Sequence, residues 1–249
     1  MDQKVSERPV PPVGGEREIL ILVHRAVDSH LVVYHEPQGA LAEQYRTFRT
    51  NLVALNPGGA PRALAFTSTL RGEGRSLTVA NLAVALAELP ETRVLIVDAD
   101  LRAPRQAQLF GLPREPGLAD LVLDFAPLEK TVARTTIGGL NVLPAGRLVK
   151  NPSELLGSSR TSELVSALKA EYSYILFDTP PSLNFADAAV LGHRLDGLLM
   201  VVRVEQTARV QVTRATELLR NAGCNVLGSF LAGARSDDRR GRDDAILEE

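Results

Sequence analysis

Residues 67–78, TSTLRGEGRSLT, carry the spacing with the clearest chemistry in this 249-residue chain. They follow an apolar run at 63–66 and open a helical pattern at 79–88. A strand, a glycine-bearing turn and a helix N-terminus make a phosphate cradle. Successive backbone N–H groups converge there, and the helix dipole favours an anion. Gly72 and Gly74 let the backbone approach phosphate with no Cβ in the way. Ser76 offers a hydroxyl suited to Mg2+. Two later stretches supply carboxylates. RVLIVDAD at 93–100 ends in Asp98 and Asp100, and residues i and i+2 of a strand project to one side. YILFD at 174–178 ends in Asp178. Three carboxylates beside a phosphate cradle suit Mg2+–nucleotide chemistry, because they can hold the metal's water shell while the metal bridges phosphate oxygens. An Asp at a strand end also has a plainer use, as a helix N-cap.

The elements that must position these groups alternate between strand and helix. Strands are expected at 63–68, 93–100, 140–144, 174–178, 197–203 and 225–231. Helices are expected at 40–55, 79–88, 101–112, 117–123, 159–171 and 209–222, with another opening at 152–156. The alternation predicts an α/β fold with a doubly wound, mainly parallel sheet, whose ligands bind beyond the carboxyl ends of the strands. Leu41, Tyr45, Phe48 and Leu52 recur at helical spacing and predict one inward face. Glu43, Arg46 and Arg49 form a charged stripe beside it. Spacing alone leaves two readings open: a solvated face with local ion pairs, or an intersubunit strip.

Bulk composition narrows the classes. A net charge of −2 gives no global electrostatic reason to expect nucleic acid. Cys224 is the one cysteine, which excludes an intrachain disulfide or a cysteine-ligated cluster within one chain and suits a reducing compartment. The longest apolar runs fall well short of the ~20 residues a membrane span needs, so no direct membrane insertion is expected. Residues 1–30 read as a loose leader without a signal-peptide core, 31–233 as the folded domain, and 234–249 as a charged tail without tyrosine.

In order along the chain, EQYRTFRTNL, the 67–76 cradle, IVDADLRAP at 96–104 and ILFDTPP at 175–181 resemble four motifs of the bacterial tyrosine kinases of capsule and exopolysaccharide export. That family belongs to the Min/Par class of deviant Walker ATPases, P-loop NTPase-like in fold. The resemblance covers about residues 31–233. It implies ATP and Mg2+ as cofactors, with Gly72, Glu73, Gly74, Arg75, Ser76 and Leu77 around the nucleotide. It implies Ser76, Asp100 and Asp178 as the metal set and Asp98, Asp100 and Arg75 as the catalytic set, Asp98 being the base for an incoming tyrosine. Arg102 and Arg105 would steady phosphate or the acceptor loop. Glu43, Arg46 and Arg49 match the family's ExxRxxR oligomerisation motif, which implies a homo-oligomeric ring and favours the intersubunit reading of the stripe. The implied partner is a membrane polysaccharide co-polymerase on a separate chain, and the implied location is cytoplasmic, peripheral to the inner membrane through that partner.

Four departures qualify the activity. Arg75 stands where the P-loop pattern GxxxxGK[ST] has Lys; Arg keeps the charge but is planar and forked, so the exchange is not conservative where a point charge must sit among phosphates. Leu77 stands where the family usually has Thr. Ala232 replaces an Asn that often reads adenine in this class. The tail lacks the tyrosine cluster that serves as phosphoacceptor; the chain's tyrosines are Tyr34, Tyr45, Tyr172 and Tyr174. These losses predict a nucleotide-binding member with weak or absent autokinase activity. An active kinase acting on other proteins and an adaptor that binds no nucleotide are the alternatives.

Overall fold

The strands explain themselves by what flanks them. The computed structural model describes residues 27–60 and 62–233. The expected leader, apart from its last few residues, and the expected tail lie outside the described residues. Strands β1 (Arg62–Ser68), β2 (Val94–Asp98), β5 (Tyr174–Asp178) and β6 (Gly197–Arg203) are buried along nearly their whole length. Continuous apolar runs such as VLIVD are what a sheet covered on both faces requires. Successive residues feed opposite cores. Ala63, Leu95, Ile175 and Leu198 enter one, while Leu64, Ile96, Leu176 and Leu199 enter the other.

The sheet has seven strands in the order β3-β4-β2-β5-β1-β6-β7, with β4 at Leu140–Leu143 and β7 at Val226–Ala232. All neighbours are parallel except β3 (Ala133–Arg134), which runs antiparallel to β4. The predicted α/β, doubly wound, mainly parallel architecture is therefore the observed one. Strand β3 was not expected, because two residues carry no periodicity. Register then places the chemistry: Asp178 lies beside Asp98 on one side and Phe66 on the other, so the ends of β2, β5 and β1 open onto one edge.

One face carries α1 (Val32–His35), α2 (Ala40–Ala54), α3 (Arg75–Ala87) and α4 (Gln106–Leu109). The other carries α5 (Leu118–Val122), α8 (Ser159–Lys169), α9 (Asp187–Gly192) and α10 (Arg209–Asn221). Two short helices, α6 (Leu128–Thr131) and α7 (Pro152–Leu156), complete the described elements. Helix α3 begins four residues before the expected start, directly after Gly74. It is buried from Thr78 to Leu86, because α2 covers the side that the sheet leaves free. The expected helix at 101–112 shrinks to α4, since Pro104 interrupts it. The aromatic face of α2 is confirmed in part. Tyr45 and Phe48 stack on Phe230 of β7, and Leu52 is buried, but Leu41 is 55% exposed. Leu41 lies in the first turn, beyond the edge of the surface that α2 covers. No helix among the described residues is long and apolar enough to cross a membrane.

Candidate functional site

A cleft of about 360 Å3 opens at the carboxyl edge, lined by Gly72, Gly74, Arg75, Ser76, Asp100 and Arg105 among others. The cradle is shaped by backbone conformation. Gly72 and Gly74 hold φ of 84° and 82°, a left-handed region that an L side chain rarely adopts. Space is not the reason, since a Cβ at Gly72 would meet nothing within 4 Å.

Glu73 sits inside this loop and is almost fully buried. Its carboxylate is held by hydrogen bonds within the cleft wall. One oxygen accepts the N–H groups of Thr69 and Leu70 at 2.7 and 3.2 Å, and the other accepts the hydroxyl of Thr207. Its side chain thus braces the loop against the segment after β6. Leu77, in the first turn of α3, is partly buried: it lines the cleft and packs against the apolar core beneath, and the hydroxyl of the next residue, Thr78, donates to the carbonyl of Gly74.

Arg75 is the centre of the site's electrostatics. Its side chain is only 8% exposed. Nε donates to Asp178 Oδ1 at 2.5 Å, and Nη2 donates to Asp100 Oδ2 at 2.7 Å. Burial alone would lower its pKa, but the carboxylates of Asp178 and Asp100 outweigh burial and raise it. The planar fork fits this double pairing in a way that a point-charge ammonium does not. The remaining oxygens are also engaged. Asp100 Oδ1 accepts the N–H of Ala103 at 3.0 Å, and Asp178 Oδ2 accepts Gln106 Nε2 at 2.7 Å. Gln106 also donates to the carbonyl of Ser76, so it ties the start of α3 to the end of β5. Sequence reading missed Gln106, which stands two residues past a recognisable motif and carries no charge.

These contacts decide how well a divalent cation fits. Mg2+ would need Asp100 and Asp178, and all four of their oxygens already accept N–H donors. A second cation would also face the fixed charge of Arg75. As arranged, the carboxylates do not fit a metal ion, and no cluster of three metal-binding side chains occurs among the described residues.

Asp98 is fully buried. Its Oδ2 accepts the N–H groups of Arg105 and Gln106 at 3.0 and 2.9 Å, which caps the start of α4, while Oδ1 has no partner. Burial, reinforced by the charges of Asp178 and Asp100, pushes its pKa well above the usual carboxylate range. The N-cap position itself belongs to Arg105, so Asp98 satisfies the first N–H groups of α4 from the end of β2 rather than as an N-cap residue. Arg102 turns out of the cleft. It pairs with Asp187 at 2.7 Å and lies over the ring of Phe185, with its guanidinium carbon 4.3 Å from the ring centroid. Arg105 and Arg71, the latter unforeseen, line the cleft as expected of groups facing an anion.

The stripe on α2 meets the far end of α3. Arg46 grips both oxygens of Glu88 at 2.9 and 2.7 Å and also reaches Glu43 at 2.5 Å. Arg49 donates to Glu88 at 2.9 Å and to the carbonyl of Ala85 at 2.8 Å. Within one chain the arginines therefore clamp α3, while Glu43 remains 64% exposed with Arg46 as its partner. Tyr172 and Tyr174 are packed, and the hydroxyl of Tyr172 accepts from Asn141.

Comparison with known proteins follows the same outline. A protein-family profile described as an AAA domain matches residues 62–222. Tyrosine-protein kinase YwqD of Bacillus subtilis is 36% identical over 206 residues, which cover 83% of this chain and 86% of that protein. The crystal structure of the chimerical protein CapA2B2 superposes with a TM-score of 0.77 at 33% identity, covering 82% of this chain and 89% of the other. The septum site-determining protein MinD of Pyrococcus horikoshii, solved with Mg-ADP, superposes with a TM-score of 0.59 at 26% identity, covering 71% and 72%.

Proposed function

The chain belongs to the bacterial tyrosine-protein kinases, and from that premise we propose that it is a nucleotide-binding member whose own phosphoryl transfer is weak or absent. The observation that carries this reading is the placement of Arg75. At the position where the P-loop lysine reaches phosphate, the guanidinium is folded down between Asp100 and Asp178. The cradle itself is intact: its glycines hold left-handed conformations, α3 presents its N-terminus, and Arg71 and Arg105 stand at the rim. ATP can then be held by backbone N–H groups while its terminal phosphate lacks the lysine that would position it. Asp98 adds to this. It is fully buried, and its Oδ2 is committed to the N–H groups of Arg105 and Gln106, which holds that oxygen away from an acceptor tyrosine.

Around this core the remaining roles follow the family. The protein acts in capsule or exopolysaccharide polymerisation and export, in the cytoplasm, held at the inner membrane by a separate co-polymerase. Copies assemble as a ring through Glu43, Arg46 and Arg49, of which Glu43 is the most exposed. The deciding experiment incubates the purified chain and its Arg75→Lys variant with Mg-ATP. Phosphotyrosine is read by antibody, and thermal melting is followed alongside. The expected result is a raised melting temperature for the parent, with little or no phosphotyrosine. ATP-dependent phosphotyrosine on the parent or a partner, abolished by Asp98→Asn, would establish an active kinase instead. Melting temperatures unmoved by ATP in both proteins would establish an adaptor that binds no nucleotide.

A further inference from the structure

We propose that this chain binds nucleotide without a divalent cation, the guanidinium of Arg75 serving as the fixed charge that Asp100 and Asp178 face in place of a metal. The inference rests on the nucleotide-binding reading above and goes beyond it. Mg2+ ordinarily neutralises phosphate charge and is anchored, directly or through water, by carboxylates at the strand ends. Here the two carboxylates available for that task already share the guanidinium of Arg75, with every oxygen holding a hydrogen bond. Arg75 Nε and Nη2 take one oxygen from each, while Ala103 N and Gln106 Nε2 take the others. The guanidinium keeps its proton at any working pH. It is shielded from solvent and paired to both acids, so it occupies the place a directly bound cation would take.

The anion has other partners. The N-terminus of α3 supplies N–H donors, and Arg71 and Arg105 line the cleft on its open side. Charge compensation for a di- or triphosphate thus comes from the protein. In this arrangement adding Mg2+ gives the complex little, because an ion bound directly by Asp100 and Asp178 would have to displace Arg75 and leave its charge without carboxylate partners.

Isothermal titration of the full chain with ADP and with ATP tests this, once in EDTA and once in excess Mg2+. The expected dissociation constants agree within about threefold between the two conditions. The Arg75→Lys variant should instead bind about tenfold more tightly, or better, when Mg2+ is present. Asp100→Asn is the second variant. It removes one of the acids a metal would need, so the ratio of its dissociation constants with and without Mg2+ should stay within about threefold, whatever their absolute values. Parent binding that is tenfold tighter in Mg2+, or an Asp100→Asn variant that loses affinity only when Mg2+ is present, overturns the inference alone. No binding in either condition overturns it together with the nucleotide reading. Mg-dependent binding leaves that reading standing.

Discussion

Helix α3 ends in two arginine–carboxylate clusters of similar composition and different physical character. At its N-terminus Arg75 lies between Asp100 and Asp178, all three nearly removed from water. At its C-terminus Glu88 lies between Arg46 and Arg49, with its side chain 32% exposed. One cluster spends one cation on two acids, and the other spends two cations on one acid. Burial makes the first an all-or-none arrangement, because any member left alone is a charge without water. Exposure makes the second a clamp whose members can fall back on solvent. The same side-chain chemistry therefore fixes the site at one end and only trims stability at the other.

The largest test of this contrast is Arg75→Ala. It strands two buried carboxylates, and unfolding in urea should show a loss of about 3–5 kcal/mol. Arg46→Ala removes a bidentate pair and a contact to the carbonyl of Pro37, and should cost about 1 kcal/mol, less at high salt. A loss comparable to that of Arg75→Ala would break the comparison.

Glu88→Gln should cost less than about 1 kcal/mol, after allowance for solvent screening, and its effect should depend on pH. The hydrogen bond from Arg46 holds the Glu88 carboxyl below its ordinary value of 4.5. Its stabilisation is therefore fully present above 4.5 and is lost as pH falls through the lower folded-state value. Parent and variant melting curves should converge in acid and separate above that point.

Asp98→Asn should have the smallest effect on stability and the opposite pH sign. Its folded-state pKa lies above the ordinary 3.8, so the parent loses stability as pH rises from 3.8 through that higher value. The amide keeps an oxygen for the N–H groups of Arg105 and Gln106. The variant should equal or exceed the parent in melting temperature at neutral pH and lack that decline. A steep loss at neutral pH would show that the ionised form of Asp98 supports the fold and would break the comparison with Glu88.

Much of the site was legible because its signals are local. Gly72 and Gly74 mark a turn whatever lies around them, and a hydrophobic strand ending in Asp announces a sheet edge. The contacts that set the chemistry are remote. Arg75 meets partners 25 and 103 residues away, and Glu88 meets Arg46 across 42. Glu73, four residues from Thr69, was close enough to foresee, yet nothing in its spacing says that its carboxylate turns inward.

Sequence by itself determined the alternation of strands and helices, the glycine-bearing turn before α3, the family motifs and the replacement of lysine by Arg75. Each follows from periodicity, backbone preference or residue type within a short window. Only the tertiary structure decided where the charges point. The guanidinium has a long stem and several possible partners, and its position is set by which acids the sheet register brings beside it in a dry environment. By the same logic Asp98 became the acceptor for the first N–H groups of α4, and α2 became a clamp on the far end of α3.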